Sequence, residues 1–324
     1  MRWIEFRKFC VGKFCLDTTL SLLYCSVMQR QKVIAVVGPT ASGKTALGVE
    51  LARALDGEVI SADSRQVYSD MDIIAGVPTM REMRNVPHHL LRVASPKHVY
   101  SAGRFLREGT RAMTQIAKRG RTPVIVGGTG FYTESLLGKT NLPEVQPNKK
   151  LRAELSGKTA AEMFEILQKI DPRRASEIDV QNPARLMRAI EIAQALGAVP
   201  PLTESITAQN FDILWLGIKP SMEKLEEKIR ARIASRMHKG AVAELQKLRA
   251  QISAKRIKEL GAEFSLLADY VDKKITRSEL VEMLAKWEMK YVTRQLRWHK
   301  RNKDIIWISG AEEALKLAQE FLKI

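Results

Sequence analysis

The feature that most constrains the fold is an apolar run followed by a glycine-bounded loop near the start of the chain. Residues 33–37 are apolar and rich in valine and isoleucine, which predicts a buried strand. Residues 38–45 have the spacing G-x-x-x-x-G-K-T, and a helical pattern begins where this loop ends. A strand, such a loop and a helix in this order predict a phosphate-binding loop, called the P-loop below.

The residue types of the P-loop indicate how it binds an anion. Gly38 and Gly43 let the backbone approach closely, so that successive N–H groups and a helix N-terminus point at the phosphate. Lys44 adds a positive charge, and the hydroxyl of Thr45 is the expected ligand for Mg²⁺. The residues predicted to bind phosphate are Gly38, Pro39, Thr40, Ala41, Ser42, Gly43, Lys44 and Thr45.

The composition of the 324-residue chain is that of an ordinary globular protein, with 45% hydrophobic residues. Its net charge of +17 is less ordinary. An excess of this size is typical of proteins that bind a polyanion, and nucleic acid is the first candidate. A solvated basic surface without a specific partner is the alternative, because net charge governs association and not the fold.

The cysteines and the first residues bear on the compartment. Cys10, Cys15 and Cys25 all precede the first predicted strand, which excludes a disulfide or a cysteine-ligated metal site in the folded body. We therefore expect a reducing, cytoplasmic compartment. The apolar run at 20–24 is too short to span a bilayer, so no membrane partner is expected. Residues 1–27 are interpreted as a disordered extension or a mis-assigned start.

The order of the predicted elements indicates an α/β fold. Alternating strands and helices imply parallel pairing, with helices on both faces of the sheet. Residues 144–201 are helical and charged, without a convincing strand. We therefore predict a P-loop core formed by residues 28–141 and 211–324, interrupted by an all-helical insertion at 142–210. The predicted strands after the first are at 59–60, 87–93, 123–126, 211–218 and 305–308.

Two helices after the insertion are predicted to place basic residues beside an apolar stripe. The first, at 221–248, has Lys228, Arg232 and Arg236 at four-residue spacing. The second, at 286–303, has Lys290, Arg294, Arg297 and Arg301 along one face. The apolar stripes are expected to face the core, and the basic rows are candidate surfaces for the polyanion.

One acidic residue stands out near the predicted site. Asp63 follows the second strand, at the sheet edge where ligands bind in open α/β folds. P-loop kinases commonly add an acid at the end of another strand to hold magnesium. Here that strand ends in Gly127, Gly128 and Thr129, without a carboxylate. Asp63 is therefore better suited to act as a general base facing an acceptor than as a metal ligand.

Taken in order, these motifs resemble the tRNA dimethylallyltransferase (tRNA isopentenyltransferase) family over residues 32–307. The matching positions are the P-loop, Asp63-Ser64-x-Gln66-Val67-Tyr68, Pro87-His88-His89-Leu90, Gly127-Gly128-Thr129-Gly130-x-Tyr132, Asn182-x-x-Arg185-Leu186-x-Arg188-Ala189-x-Glu191, Arg232, Gly240 and Arg294-Gln295-x-x-Trp298. Each short motif alone is a weak indication of the family. The number of motifs and their shared order argue against chance agreement.

The resemblance implies transfer of a dimethylallyl group from dimethylallyl diphosphate to N6 of adenosine 37, next to the anticodon of a tRNA. The P-loop and Mg²⁺ would then stabilise the diphosphate leaving group, with Thr40 and Arg232 also in contact with it. Asp63 would accept the N6 proton. Thr129, counted with the catalytic residues, would line the channel that receives the extruded base. A monomer is expected from the same resemblance.

The resemblance also predicts which residues contact tRNA in the anticodon stem-loop. They are Asp63, Ser64, Arg65, Gln66, Thr129, Arg152, Arg185, Arg188, Arg294, Gln295 and Trp298. For Arg152 and Trp298, a solvated arginine and a core tryptophan are equally good interpretations. The sequence departs from the family pattern at 74–77, Arg92, Ala262 and Thr293, which bears on tRNA contact and leaves the transfer chemistry intact.

Two enzymatic alternatives and one non-enzymatic alternative stay open. The chain could be an isopentenyltransferase acting on free adenine nucleotides or a P-loop kinase of a small metabolite. A small acceptor would not need the basic late helix, and the missing strand-end acid disfavours a kinase. The third alternative is a basic nucleic-acid-binding protein with a vestigial P-loop, which the intact Gly43, Lys44, Thr45 and Asp63 disfavour.

Overall fold

The computed structural model describes residues 30–140, 142–201 and 211–324. The predictions for residues 1–27, with their three cysteines, lie outside the described residues.

The core is built on a sheet of six parallel strands in the order β3-β2-β4-β1-β5-β6, counted over the described ranges. The strands are β1 (Gln31–Val37), β2 (Gly57–Ser61), β3 (His88–His89), β4 (Thr122–Gly127), β5 (Phe211–Ile218) and β6 (Ile306–Ile308). All five predicted strand positions after β1 are occupied, although β3 is only two residues long. The prediction of an α/β P-loop fold with a parallel sheet is confirmed.

Helices cover both faces of the sheet. Those between β1 and the insertion are α1 (Lys44–Ala54), α2 (Asp72–Ala75), α3 (Met80–Met83), α4 (Ala102–Lys118) and α5 (Gly130–Leu136). Strand β1 explains the arrangement, because residues 33–37 are all fully buried. Val33, Ala35 and Val37 pack on one face with α4, while Ile34 and Val36 pack on the other with α1. Burial on both faces is why this strand is continuously apolar.

The region predicted as an insertion contains four helices and, over residues 142–201, no strand. They are α6 (Lys149–Ser156), α7 (Ala160–Ile170), α8 (Pro172–Glu177) and α9 (Pro183–Leu196). Their apolar side chains form a cluster separate from the two clusters on the sheet, with Leu151, Leu167 and Ile190 at its centre. The division into domains stays a prediction.

The chain after β5 is mostly helical. The helices are α10 (Met222–His238), α11 (Ala241–Arg249), α12 (Ala254–Leu260), α13 (Ala262–Val271), α14 (Arg277–His299) and α15 (Ala311–Leu322). The predicted single helix at 221–248 is wrong, because it breaks into α10 and α11 at Gly240, where φ is +101°. Helix α14 begins nine residues before its predicted start, at a capping box formed by Thr276 and Glu279.

Candidate active site

A cleft of about 450 Å³ lies beside the P-loop, at the carboxyl ends of β2 and β4. This is the edge at which ligands bind in open α/β sheets, and the volume is typical of a small-molecule site. The turn after β2 and helices α10, α13 and α14 complete its walls. The P-loop residues that line it are Thr40, Ala41, Ser42, Gly43, Lys44 and Thr45.

The P-loop backbone needs its glycines. At Gly38 a Cβ atom would lie 2.7 Å from the carbonyl oxygen of Ile218, and at Gly43 φ is +93° where α1 begins. Lys44 folds back over the loop, and its Nζ donates a hydrogen bond of 2.6 Å to the carbonyl oxygen of Pro39. The loop therefore concentrates N–H groups and one ammonium group at the start of α1, as an anion site requires.

Two buried polar atoms beside the P-loop have no hydrogen-bond partner within the described part of the chain. They are the Oγ of Ser42 and the Nε of Arg232. Leaving a buried donor unpaired costs about 1–3 kcal/mol. Ser42 and Arg232 both line the cleft, but these two atoms are buried away from it, so a phosphate would bind instead to the P-loop N–H groups, the Lys44 ammonium and the outer guanidinium nitrogens of Arg232.

Asp63 lies in the turn after β2 and faces the same cleft. Its Oδ1 accepts hydrogen bonds from the backbone N–H groups of Arg65, at 2.8 Å, and Gln66, at 3.4 Å. These bonds fix the carboxylate in a short turn. They leave Oδ2 without a hydrogen bond among those described, so the carboxylate keeps an oxygen for an incoming proton.

The turn that follows Asp63 is held by hydrogen bonds to residues next to it in the fold. Thr129, just before α5, accepts a hydrogen bond of 3.2 Å from the backbone N–H of Ser64 through its Oγ1. Gln66 accepts a 2.9 Å bond from the hydroxyl of Ser61 and donates one of 2.9 Å to the carbonyl of Gly76. Ser64, Arg65 and Gln66 line the cleft, while Thr129 supports their turn.

Two arginines of α10 share one buried carboxylate in the cleft wall. Arg232 donates from Nη1 to the Oγ1 of Thr40 at 2.8 Å and from Nη2 to Glu288 of α14. The Nη1 of Arg236 lies 3.6 Å from the other oxygen of Glu288 and 4.0 Å from Glu263 of α13. Arg232, Glu288 and Arg236 are called the cleft triad below. Arg232 thus lies against Thr40 of the P-loop, and the contact of both residues with diphosphate stays a prediction.

Glu288 and Glu263 are not among the site residues predicted from the sequence. The signal for Glu288 was available, since a lone acid sits among the buried residues Leu284, Ala285 and Val292 of an apolar helix face. Carboxylates are rarely buried without a partner, so such a position indicates a pairing with a cation. Nothing in the sequence identifies that cation, because the two arginines lie more than 50 residues away.

Burial lowers the pKa values of two basic groups, Lys44 in the P-loop and His299 near it. It lowers the pKa of Lys44 to about 8; the charge of Asp63 opposes this shift and that of Arg232 adds to it. Burial also lowers the pKa of His299 to about 4, and the nearby Lys44 lowers it further. His299 is therefore neutral at pH 7, whereas Lys44 is mostly charged at pH 7 and loses its charge as the pH rises through 8.

The described part of the site has few side chains that could bind a metal ion. The Thr45 side chain is exposed and lines the cleft, but no group of three or more His, Cys, Asp or Glu residues could hold a metal within the described ranges. His88 and His89 bond to the Val86 carbonyl and to Glu58 instead. The residues fit a magnesium ion that takes most of its ligands from phosphate oxygens and water, as Mg²⁺ commonly does.

Comparison with known proteins identifies the family. Residues 66–302 match the model of the IPP transferase family, and residues 31–96 match that of isopentenyl transferases. The tRNA dimethylallyltransferase 1 of Geotalea uraniireducens is 37% identical over 297 residues, which cover 90% of this chain and 97% of that protein. The chain belongs to the IPP transferase family. The resemblance noted from the sequence is thereby confirmed.

Other members of the IPP transferase family agree. The tRNA dimethylallyltransferase of Thermomicrobium roseum is 35% identical over 286 residues, 86% of each chain. The crystal structure of the full-length tRNA isopentenylpyrophosphate transferase from Bacillus halodurans matches with a TM-score of 0.66 and 30% identity, over 91% of this chain and 96% of that one. A eukaryotic dimethylallyltransferase acting on tRNA, 22% identical with a TM-score of 0.75 over 90% of this chain and 80% of that one, shows the same fold.

Two of the three insertion arginines predicted to bind tRNA are partly exposed and share one buried carboxylate in this IPP transferase. Glu191 of α9 accepts hydrogen bonds of 2.9 Å from both Nε and Nη2 of Arg152, and another from Arg188. Arg152, Glu191 and Arg188 are called the insertion triad below. Arg185 is exposed, with Asp179 at 3.7 Å. The contacts of these three arginines with tRNA stay predictions.

The three late-helix residues predicted to bind tRNA have different environments. Arg294 is exposed, lines the cleft and has its guanidinium 5.5 Å from the centre of the Tyr291 ring. Gln295 is buried, and its amide accepts from the backbone N–H of Thr40 and donates to the Gly128 carbonyl, both at 2.8 Å. Trp298 is half-buried against Phe131, with the Arg301 guanidinium 4.1 Å from its ring centre.

These environments sort the predictions for α14. Arg294 is positioned to meet a large ligand at the cleft mouth, whereas Gln295 acts between the P-loop and the end of β4. Trp298 has the packing of a partly buried core residue, one of the two interpretations left open for it. All three tRNA contacts stay predictions.

One departure from the family pattern has a local partner. Arg92, which stands where the family usually has Asp, donates from Nε to both carboxylate oxygens of Asp72 at 2.8 and 2.9 Å. Asp72 begins α2, whose backbone N–H groups at Ile73 and Ile74 bind Glu244 of α11. The substitution therefore serves the anchoring of a short helix beside the cleft.

Proposed function

We propose that this IPP transferase transfers a dimethylallyl group from dimethylallyl diphosphate to N6 of adenosine 37 in tRNA. The observation that carries the proposal is that Asp63 faces the same cleft as the P-loop and Arg232. A phosphate site alone would suit many enzymes. A carboxylate opposite it provides a base for the nucleophile that displaces the phosphate-bearing group.

The reaction balances with the residues present. The allylic C–O bond breaks, and its electron pair stays on the diphosphate oxygen. The N6 lone pair of adenosine forms the new C–N bond, and Asp63 accepts the proton that N6 releases. No phosphoryl group is transferred, so ATP is not consumed. The diphosphate product leaves from the same P-loop that bound the substrate.

The P-loop region stabilises the charge that develops on the leaving group. Backbone N–H groups at the start of α1, the ammonium of Lys44 and the guanidinium of Arg232 are fixed before the reaction, which is the arrangement most effective for electrostatic catalysis. Ser42 and Arg232 both line the cleft beside the P-loop. Thr40 contributes its hydroxyl, held by Arg232 at 2.8 Å.

Magnesium belongs to the proposal as a cofactor held by the Thr45 hydroxyl together with substrate oxygens and water. When bound, it neutralises part of the negative charge on the diphosphate. Pro39, Ala41, Gly43 and Gly38 contribute backbone and not side-chain chemistry, as their residue types require.

We infer that tRNA reaches the cleft along its basic surroundings, with Arg65 and Arg294 at the mouth and the insertion beside it. The target adenosine must leave the anticodon-loop stack to reach Asp63. The net charge of +17 supports affinity for the phosphate backbone.

We propose a monomer as the active form. No helix within the described residues is long and apolar enough to cross a membrane.

A rival-acceptor experiment tests the proposal. The purified chain is incubated with labelled dimethylallyl diphosphate, Mg²⁺ and unmodified tRNA, with AMP as the competing acceptor and no ATP. Label in tRNA with equimolar release of diphosphate is expected. Label confined to AMP would replace the proposal by a free-nucleotide isopentenyltransferase, and phosphoryl transfer that requires ATP would replace it by a kinase.

A further inference from the structure

Helix α14 holds Thr40 of the P-loop in two ways. Gln295 accepts a hydrogen bond of 2.8 Å from the backbone N–H of Thr40. The Thr40 hydroxyl accepts a bond of 2.8 Å from Arg232, whose other nitrogen donates to Glu288 of the same helix. Glu288 and Gln295 are seven residues apart, about two turns, and therefore lie on one face of α14.

Glu288 is central to the second of these contacts, in which Arg232 links α14 to the Thr40 hydroxyl. Its carboxylate is buried, and its two oxygens face different arginines, Arg232 and Arg236. Without this charge the two guanidinium groups would face each other in the cleft wall, with Glu263, 4.0 Å from Arg236, and the charge of Asp63 left to offset them. Removing one member of such a buried group is costly because it leaves charge unpaired.

The position of the Arg232 guanidinium decides what it can do for a ligand. One nitrogen is committed to Glu288 and one to Thr40, while Nε is buried without a partner among the described residues. The orientation of the planar group is therefore fixed at both ends. Glu288 also lines the cleft, but a carboxylate repels an anion, so a favourable effect of Glu288 on a bound anion has to pass through Arg232.

We infer that Glu288 is a positioning residue of the diphosphate subsite, which holds Arg232 against Thr40 so that its guanidinium meets the leaving group in a fixed orientation. This inference rests on the proposed function for the identity of the anion. It assigns a role to a residue of α14 that the sequence motifs leave out. It also makes α14, through Glu288 and Gln295, a support of the P-loop.

A double-mutant cycle tests the inference by equilibrium binding of dimethylallyl diphosphate in the presence of Mg²⁺ and without tRNA. The Glu288→Gln variant keeps the shape of the side chain and removes its charge. We expect it to weaken binding about 10- to 100-fold, the range for a lost hydrogen bond to a charged group. In an Arg232→Ala background the same change is expected to cost less than about threefold, because Arg232 carries the effect.

A matched control separates positioning from general destabilisation. Glu58 is also buried and is held by Arg119, Arg121 and His89, but it does not line the cleft. Glu58→Gln should lower the midpoint of thermal unfolding and leave binding of dimethylallyl diphosphate unchanged. A Glu288→Asp variant should restore part of the lost affinity if the charge is what positions Arg232.

The outcomes are distinct. Unchanged affinity in Glu288→Gln, or an equal loss with and without Arg232, would overturn the inference. A wild-type chain that binds dimethylallyl diphosphate but transfers nothing to tRNA would overturn the proposed function and leave this test valid. If the wild-type chain transfers the dimethylallyl group to tRNA while Glu288→Gln binds dimethylallyl diphosphate normally, the proposed function stands and the inference about Glu288 fails.

Discussion

The cleft triad and the insertion triad are built from the same parts, a buried glutamate between two arginines, yet they differ in what they leave unpaired. In the insertion triad, Glu191 accepts from Arg152 twice, from Arg188 and from the backbone N–H of Asn148. In the cleft triad, Arg236 stays 3.6 Å from Glu288, and Arg232 keeps a buried Nε without a partner in the described chain.

The difference separates a structural ion cluster, the insertion triad, from a cluster placed to bind an anion, the cleft triad. Burial alone would raise the pKa of Glu191, but hydrogen bonds from Arg152, Arg188 and Asn148 outweigh it and lower the pKa to about 2. This carboxylate is satisfied by the protein itself and joins α6 to α9. Arg232, Arg236 and Glu288 of the cleft triad line the cleft instead, so the two arginines are accessible to a ligand there. An arginine held by a buried carboxylate is therefore a candidate for binding a small anion when its side chain also lines a cavity.

The largest effect is expected at Asp63, the acid that serves the cleft. Asp63→Ala removes the proposed general base and should lower the turnover number about 10²- to 10⁴-fold, with tRNA affinity nearly unchanged. Single-turnover kinetics with saturating substrates measure the loss. Asp171, a buried helix cap in the insertion, is the control, since Asp171→Ala should reduce stability without lowering turnover. Turnover near wild type in Asp63→Ala would refute the assignment.

The next effect separates the two triads directly. Arg232→Ala should reduce kcat/KM for dimethylallyl diphosphate about 10²- to 10³-fold, the usual cost of removing one preorganised donor to a developing charge. Arg188→Ala should leave the KM for dimethylallyl diphosphate unchanged, because Arg188 and its partner Glu191 do not line the cleft. Arg230→Ala, on the exposed side of α10, is the control for the helix. Equal losses in Arg232→Ala and Arg188→Ala would erase the distinction between the triads.

A smaller effect is expected from pH, through Lys44 in the cleft. Because burial lowers the pKa of Lys44 to about 8, the free protein loses this charge as pH rises through 8. Affinity for dimethylallyl diphosphate should therefore decline above pH 8, by at most about tenfold per pH unit. Titrations between pH 7 and pH 10 measure it. In Lys44→Met, binding should be weaker throughout and should lack the decline; a decline that persists there would exclude Lys44 as its source.

The smallest effect on activity is expected from the insertion triad, where pH changes stability instead. The folded-state pKa of Glu191 is lowered from 4.5 to about 2, so its contribution is complete above pH 4.5 and is lost as pH falls toward 2. Glu191→Gln should destabilise the fold by about 1–3 kcal/mol at pH 7. Urea unfolding should show this difference shrinking below pH 4.5. A difference that stays constant down to pH 3 would argue against the lowered pKa.

The sequence predicts the parts of the molecule that depend on local pattern. The P-loop, its strand and its helix are recognisable because glycine spacing and apolar periodicity are local properties, and Asp63 follows from its place after β2. The break at Gly240 was missed because the apolar stripe runs through it on both sides. The φ of +101° there turns α11 so that Glu244 caps the N-terminus of α2.

The remaining features depend on contacts between distant elements. The sequence places Arg232 and Arg236 in a basic row, but only the packing of α10 on α14 shows that both turn inward to Glu288. Gln295 belongs to a motif expected at the tRNA surface, yet its amide bridges Thr40 and Gly128. Side-chain direction at such positions is set by tertiary packing, which periodicity alone does not encode.

The most direct test of the central claim uses two tRNA transcripts that differ only at position 37. One carries adenosine and the other guanosine, and each is incubated with labelled dimethylallyl diphosphate and Mg²⁺ in the absence of ATP. One label incorporated and one diphosphate released per adenosine-37 transcript, with neither for the guanosine-37 transcript, is the predicted result. Equal labelling of both transcripts, or diphosphate release without labelled tRNA, would contradict the claim that the cleft joins a diphosphate site to a base for N6 of adenosine 37.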